Sequence, residues 1–331
     1  MRRREFAALL GGFGAWTFGA NAESAQQRKR LIAVLHDLAQ NDPVAQSEVI
    51  TFGETLAKFG WTNGDNVQIE IAWGSGNPDR IQELAKLLVG LQPDAIIARG
   101  TPATRALARE TRTIPIVFVV VADPVGAGFV ETLARPGRNI TGFSNLFSRI
   151  AGKWVELLKE IAPKIDHVTL LFNPDTLAPL QLFLPSIEMA ASTLSIRVST
   201  SPVQGTNEIE GVFAALASDP WSGLIVMPDG FNLVNREIIV AMSSRYRVPT
   251  IYFNAAYYAK LGGLITYGPD FTEYWSLAAG YIDLILNGRR PEDLPIQQPT
   301  NIQLVINLKS AERLGLSVPS TLLARADEVI E

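Results

Sequence analysis

Ala95-Ile96-Ile97-Ala98-Arg99-Gly100-Thr101-Pro102-Ala103-Thr104 joins a short apolar run to a turn and a helix start without a linker. A run of four apolar residues bounded by turn chemistry fits a strand covered on both faces, as in parallel sheets. Thr101 beside Pro102 supplies a capping hydroxyl and a proline suited to the first helical position. In open parallel α/β sheets, ligands bind outside the carboxyl ends of the strands, so this junction is a candidate anion site. The Thr101 hydroxyl and the free amides of residues 102–104 (Pro102, Ala103 and Thr104) are expected to face a cleft. An ordinary helix cap is the alternative of equal weight.

The same strand-to-loop pattern recurs on either side. Leu31–Leu35, Val67–Trp73 and Ile116–Val121 read as buried strands of one half. Val168–Phe172, Ile196–Thr200, Leu224–Met227 and Thr250–Phe253 repeat the pattern in the other half. Helix-period positions lie between them, such as Ile81, Leu84, Leu88 and Leu91. Strand-helix alternation of this kind predicts α/β architecture with parallel sheets and right-handed crossovers. Arg135-Pro136-Gly137 punctuates the middle, and Gly262 to Asp270 and Leu294 to Asn307 are further extended passages. Three passages of chain predict two Rossmann-like lobes around a hinge, with residues 30–141 and 268–293 in one and 142–267 and 294–331 in the other.

Composition narrows the function classes. The 331 residues carry a net charge of −4, which disfavours a nucleic-acid surface. There is no cysteine and only two histidines, His36 and His167, so thiol chemistry is excluded and a zinc site would depend on carboxylates. No metal or cofactor is expected. Walker A, Gly-x-Ser-x-Gly and His-Glu-x-x-His patterns are absent, which argues against an enzyme. A hydrolase using His36 with Asp37 or Asp123 and a cleft serine such as Ser144 is the weaker alternative. Arg2-Arg3-Arg4, the weakly apolar stretch from Phe6 to Ala20 and Ala20-Asn21-Ala22 read as an export signal over residues 1–22, of twin-arginine character, cleaved after Ala22.

Candidate ligand groups follow from strand ends. Asp229, after the strand Leu224–Met227 and before Gly230, is expected to present its carboxylate to a ligand ammonium, or else to cap a helix. Asp123, Asn145, Asn173, Asn254 and His36 are further polar candidates, and Trp73 and Tyr267 supply aromatic walls.

From Arg30 to Glu331 the chain resembles the substrate-binding proteins of bacterial ABC transporters, in their tryptophan/tyrosine-type branch. The resemblance rests on the order and spacing of several stretches. They include Gly100-Thr101-Pro102-Ala103, Asp123-Pro124-Val125-Gly126, Asn139-Ile140-Thr141-Gly142-Phe143, Leu171-Phe172-Asn173-Pro174-Asp175, Tyr267-Gly268-Pro269-Asp270 and Leu304-Val305-Ile306-Asn307. It implies a type I periplasmic-binding-protein fold, a periplasmic monomer, and partnership with a membrane permease and its ATPase subunit. The implied ligand is a small zwitterionic or carboxylate-bearing molecule, with aromatic amino acids among those the branch binds. A periplasmic sensor that presents its ligand-bound form to a receptor is the alternative.

Overall fold

The computed structural model describes residues 29–145, 150–177, 180–298 and 300–331. The expected export signal lies outside these. Among the described residues, no helix is long and apolar enough to cross a membrane.

The first sheet is built from β1 (Arg30–His36), β2 (Val67–Trp73), β3 (Ala95–Arg99), β4 (Ile116–Val121) and β5 (Ile140–Ser144), in the order β2-β1-β3-β4-β5 with every pair parallel. Helices α1 (Pro43–Lys58), α2 (Pro78–Gly90) and α3 (Gly100–Glu110) connect the first four strands. Because helices cover both faces, β3 is buried along its whole length and β4 nearly so. Asp42 and Asn77 cap α1 and α2 with their side chains, each followed by proline at the first helical position.

The second sheet has the order β12-β11-β10-β9-β8-β6-β7. Its elements in chain order begin with α4 (Ala151–Ile161), β6 (His167–Phe172), α5 (Leu184–Thr193), β7 (Arg197–Pro202), α6 (Thr206–Ala217) and β8 (Ser222–Val226). Then come α7 (Gly230–Val234), α8 (Arg236–Tyr246), β9 (Thr250–Tyr252), α9 (Ala255–Tyr258) and β10 (Ile265–Pro269). After α10 (Thr272–Leu286), β11 (Ile302–Asn307), α11 (Leu308–Arg313), α12 (Ser320–Leu323) and β12 (Glu328–Ile330) complete it. The sheet is not wholly parallel, because β11 runs antiparallel to β10. The passages expected to be bare crossovers therefore contribute two paired strands.

α10 follows a strand of the second sheet but packs on the first lobe. Trp275 stacks on His36 with ring centroids 5.5 Å apart, Phe143 lies 4.8 Å from Tyr281, and Trp61 Nε1 donates to Asp283 Oδ1 at 2.9 Å. The chain then stays beside β5, where Thr141 Oγ1 donates to the Leu294 carbonyl and Ser144 N to that of Gln297. The backbone thus passes between the sheets three times, after Ser144, after Pro269 and after Gln297. Leu294–Gln297, expected in the second lobe, pairs with the first.

Candidate functional site

The carboxyl ends of β1, β3, β4 and β5 face those of β6, β8 and β9 across a small, partly open cavity of about 70 Å3. The first lobe lines it with Asp37, Arg99, Gly100, Thr101, Val120 and Asn145. The second contributes Thr176, Pro228, Asp229, Leu233 and Phe253, and Phe271 comes from the passage into α10. An annex of about 270 Å3 shares Thr101, Pro102 and Thr176 with it and is flanked by Arg105, Asp123 and Asp175. Together they reach the lower end, about 300 Å3, of the usual range for ligand sites.

The junction after β3 differs from its expected form. The cap position of α3 is Arg99, without a side-chain cap, and Gly100 and Thr101 already lie inside the first turn. The N–H groups left without an intrahelical partner are therefore those of Gly100 and Thr101, since proline at 102 has none. Gly100 needs its φ of +78°, and a Cβ there would sit 2.3 Å from Asp37 Oδ2. Ala103 is buried in the lobe core, and Thr104 Oγ1 donates to the Gly100 carbonyl at 2.9 Å, so neither reaches the cavity.

Asp229 is placed at the cavity, yet its carboxylate is already occupied. Oδ1 accepts from Asn232 N at 2.7 Å and Thr176 Oγ1 at 3.3 Å, and Oδ2 accepts from Asn173 N and Asn232 Nδ2, both at 3.0 Å. It is the cap of α7, and burial pushes its carboxyl up to about 7 despite these donors. The expected open counter-charge is thus a structural cap, because a five-residue helix following β8 must satisfy its first amides.

Asn145 is the sequence-derived candidate with the most open chemistry. It is 8% exposed, lines the cavity, and its Oδ1 has no hydrogen-bond partner among the described residues. Asp123 accepts from Gly126 N at 2.8 Å and borders the annex. Asn173 Oδ1 accepts from Asp175 N, and Asn254 Nδ2 donates to the Pro269 carbonyl, so both hold loops behind the cavity wall. Tyr267 lies on a separate groove beside α4 and α5, and Trp73 packs against His36 at 5.0 Å. His36 is fully buried and does not line the cavity.

Beneath the cavity lies a polar cluster of which the sequence reading singled out only His36 and Asp37, missing Arg99, Glu48 and Tyr257. Arg99 Nη1 donates to Asp37 Oδ1 at 2.5 Å, Arg99 Nε to Glu48 Oε2 at 2.7 Å, and Arg99 Nη2 to the Tyr257 hydroxyl at 2.6 Å. Tyr257, from the second lobe, donates in turn to Glu48 Oε1 at 2.7 Å. His36 Nδ1 accepts from Leu38 N at 3.1 Å, which assigns the ring hydrogen to Nε2, 3.0 Å from Glu48 Oε2. Burial alone would raise the Glu48 carboxyl, but Arg99 and His36 outweigh it and hold it at about 2. Burial opposes the charge on Arg99, and Asp37 and Glu48 more than restore it.

Asp166, His167 and Asp219 form the one group of metal-ligating side chains found among the described residues. It lies at the start of β6, the end remote from the cavity, and Arg197 also pairs with Asp166 at 3.2 Å.

Residues 38–330 match the family model for ABC transporter substrate binding protein. The chain belongs to this family. A tyrosine-binding protein of Clostridioides difficile is 25% identical over 280 residues, covering 84% of this chain and 80% of that one. A Streptococcus pneumonia ABC domain in complex with L-Trp matches with a TM-score of 0.82 at 25% identity, covering 91% of this chain and all of that one. A ligand-free, open structure of a substrate binding protein with adhesive properties from Clostridium difficile matches with a TM-score of 0.68 at 24% identity, covering 91% of this chain and 99% of that one. The fold of this family member is accordingly that of a type I periplasmic binding protein, and the family is one of binding proteins.

Proposed function

We propose that this protein is the exported, periplasmic solute-binding component of an ABC importer, delivering a small zwitterionic ligand to a permease and its ATPase subunit without converting it. An aromatic amino acid is the first candidate. The observation that carries the reading is the Asn145 Oδ1 acceptor, buried and without a partner among the described residues, at a cavity that also holds the uncapped start of α3. An unsatisfied buried acceptor costs about 1–3 kcal/mol, which a ligand donor relieves. The α3 amides and helix dipole suit a carboxylate. Phe253, Phe271 and Leu233 supply apolar walls, and the annex gives a side chain room. The tyrosine-binding relative and the L-Trp complex support the same ligand class. Contacts that join the lobes around the cavity support a closed arrangement.

The test is a melting-temperature screen of the purified protein against the amino acids, followed by titration calorimetry. L-Trp, L-Tyr or L-Phe is expected to raise the melting temperature, and Asn145→Ala to weaken that ligand by about fivefold or more. Failure of every amino acid to stabilise the protein would overturn the reading.

A further inference from the structure

The groups beneath the cavity carry charges that do not cancel. Two carboxylates, Asp37 and Glu48, share one guanidinium, Arg99, while Tyr257 adds a hydroxyl and His36 the Nε2–H tautomer fixed by Leu38. Glu48 is saturated, with Oε2 taking Arg99 Nε and His36 Nε2, and Oε1 taking Tyr257 and, at 3.4 Å, Arg99 Nη2. Asp37 is not. Its Oδ1 takes Arg99 at 2.5 Å, but Oδ2 accepts from no described residue and stands beside Gly100, which lines the same cavity. The surplus negative charge is thereby delivered to one oxygen at the cavity surface. A surplus negative charge on a partly buried oxygen favours a cationic partner.

Asn145, on the wall of that cavity, has a buried Oδ1 with no donor among the described residues. Two open acceptors, one of them anionic, match a group with several hydrogens and a positive charge. We infer that Asp37 is a specificity-determining residue that binds a protonated primary amine of the ligand through Oδ2, with Asn145 accepting a further hydrogen. This rests on the amino-acid reading above and deepens it. It moves the ammonium partner from Asp229, whose oxygens are filled, to the first lobe. The α3 amides that suit the carboxylate belong to the same lobe, so one lobe reads both charged groups and the second closes over the side chain. The ligand class is therefore an unmodified α-amino acid rather than an aromatic carboxylic acid. Glycine at 100 leaves the Asp37 oxygen unobstructed, because a Cβ there would lie 2.3 Å from Asp37 Oδ2 itself.

Calorimetry on the purified protein with L-tryptophan and L-tyrosine, set against 3-(indol-3-yl)propanoate and 3-(4-hydroxyphenyl)propanoate, tests this. The wild type is expected to bind the better amino acid at least tenfold more tightly than its amine-free counterpart, and Asp37→Asn to bring that ratio close to one by weakening only the amino acid. The wild-type ratio is informative even if Asp37→Asn folds poorly, and Asn145→Ala provides a second variant expected to lower it. Equal binding of an amino acid and its amine-free counterpart, or an unchanged ratio in Asp37→Asn, would overturn the assignment while leaving the carrier reading intact. Binding of none of the four probes would overturn the assignment together with the aromatic amino-acid reading.

Discussion

Asp42 and Arg236 join the two lobes through a buried ion pair, with Arg236 Nη2 2.5 Å from Asp42 Oδ2 and the side chains 8% and 10% exposed. Asp42 Oδ1 meanwhile caps α1 through the N–H groups of Val44 and Ala45. Arg236 heads α8 on the second lobe and also holds the Leu233 carbonyl. One side chain thus ends a helix on its own lobe and fastens the other. Opening the cleft would separate the pair and hydrate both charges, so the contact belongs to the closed arrangement.

Arg236→Ala should therefore favour opening. Leaving Asp42 buried without its partner costs about 3–5 kcal/mol, which opening avoids. The expected outcome is at least tenfold weaker ligand binding and a larger radius of gyration by small-angle scattering. Asp42→Asn, which retains a capping side chain, should shift closure in the same direction with little loss of α1.

Tyr257→Phe removes the hydroxyl that links Arg99 to Glu48 across the lobes. Losing hydrogen bonds to charged groups costs about 1.5–3 kcal/mol each, so the ligand-bound form should lose several degrees of melting temperature. An unchanged melt would mean that water replaces the hydroxyl at no cost.

The Asp229 carboxyl has an ordinary value of 3.8 and is raised to about 7 by burial in the folded chain. Between these values the native state holds a proton that the unfolded state has released, so stability should fall as pH rises from about 4 to about 7 and level off above. Urea unfolding across that window checks it. Asp229→Asn should flatten this slope, while leaving amide hydrogens facing the donors of Asn232 and Asn173 at a cost of about 1–3 kcal/mol.

Glu48 behaves in the opposite sense. Its carboxyl falls from 4.5 to about 2, so its contribution is complete above 4.5 and is lost as pH falls through about 2. Glu48→Gln should remove this acid limb and, at neutral pH, destabilise the protein by about 3–5 kcal/mol, because Arg99 loses a buried partner.

The alternation of apolar runs made both lobes legible, since strands covered on two faces have continuous apolar sequence. β5 was hidden because Ile140-Thr141-Gly142-Phe143-Ser144 mixes small and polar residues, and Gly142 is required where a Cβ would strike the Phe118 carbonyl oxygen at 2.1 Å. β10 and β11 read as connectors because Gly268 and Pro269 and the prolines before β11 resemble turn chemistry. Thr101, Pro102 and Asp229, read from strand ends, line one cavity, and Asn145 joins them from the end of the hidden β5. Arg99, Glu48 and Tyr257 escaped because they lie far apart in sequence. A signal was present in α1, where Glu48 occupies the buried stripe of Ala45, Phe52 and Leu56, a carboxylate on a face that otherwise rejects charge.

Val120 sits at a register shift between β4 and β5 with φ at +60°, a region β-branched residues almost never occupy. Its side chain forms part of the cavity wall. Glycine at this position would relax the backbone and enlarge the cavity in one change, whereas most enlargements of a packed wall weaken a fold. Residue 120 is thus the natural starting point for recasting this protein as a sensor for bulkier ligands.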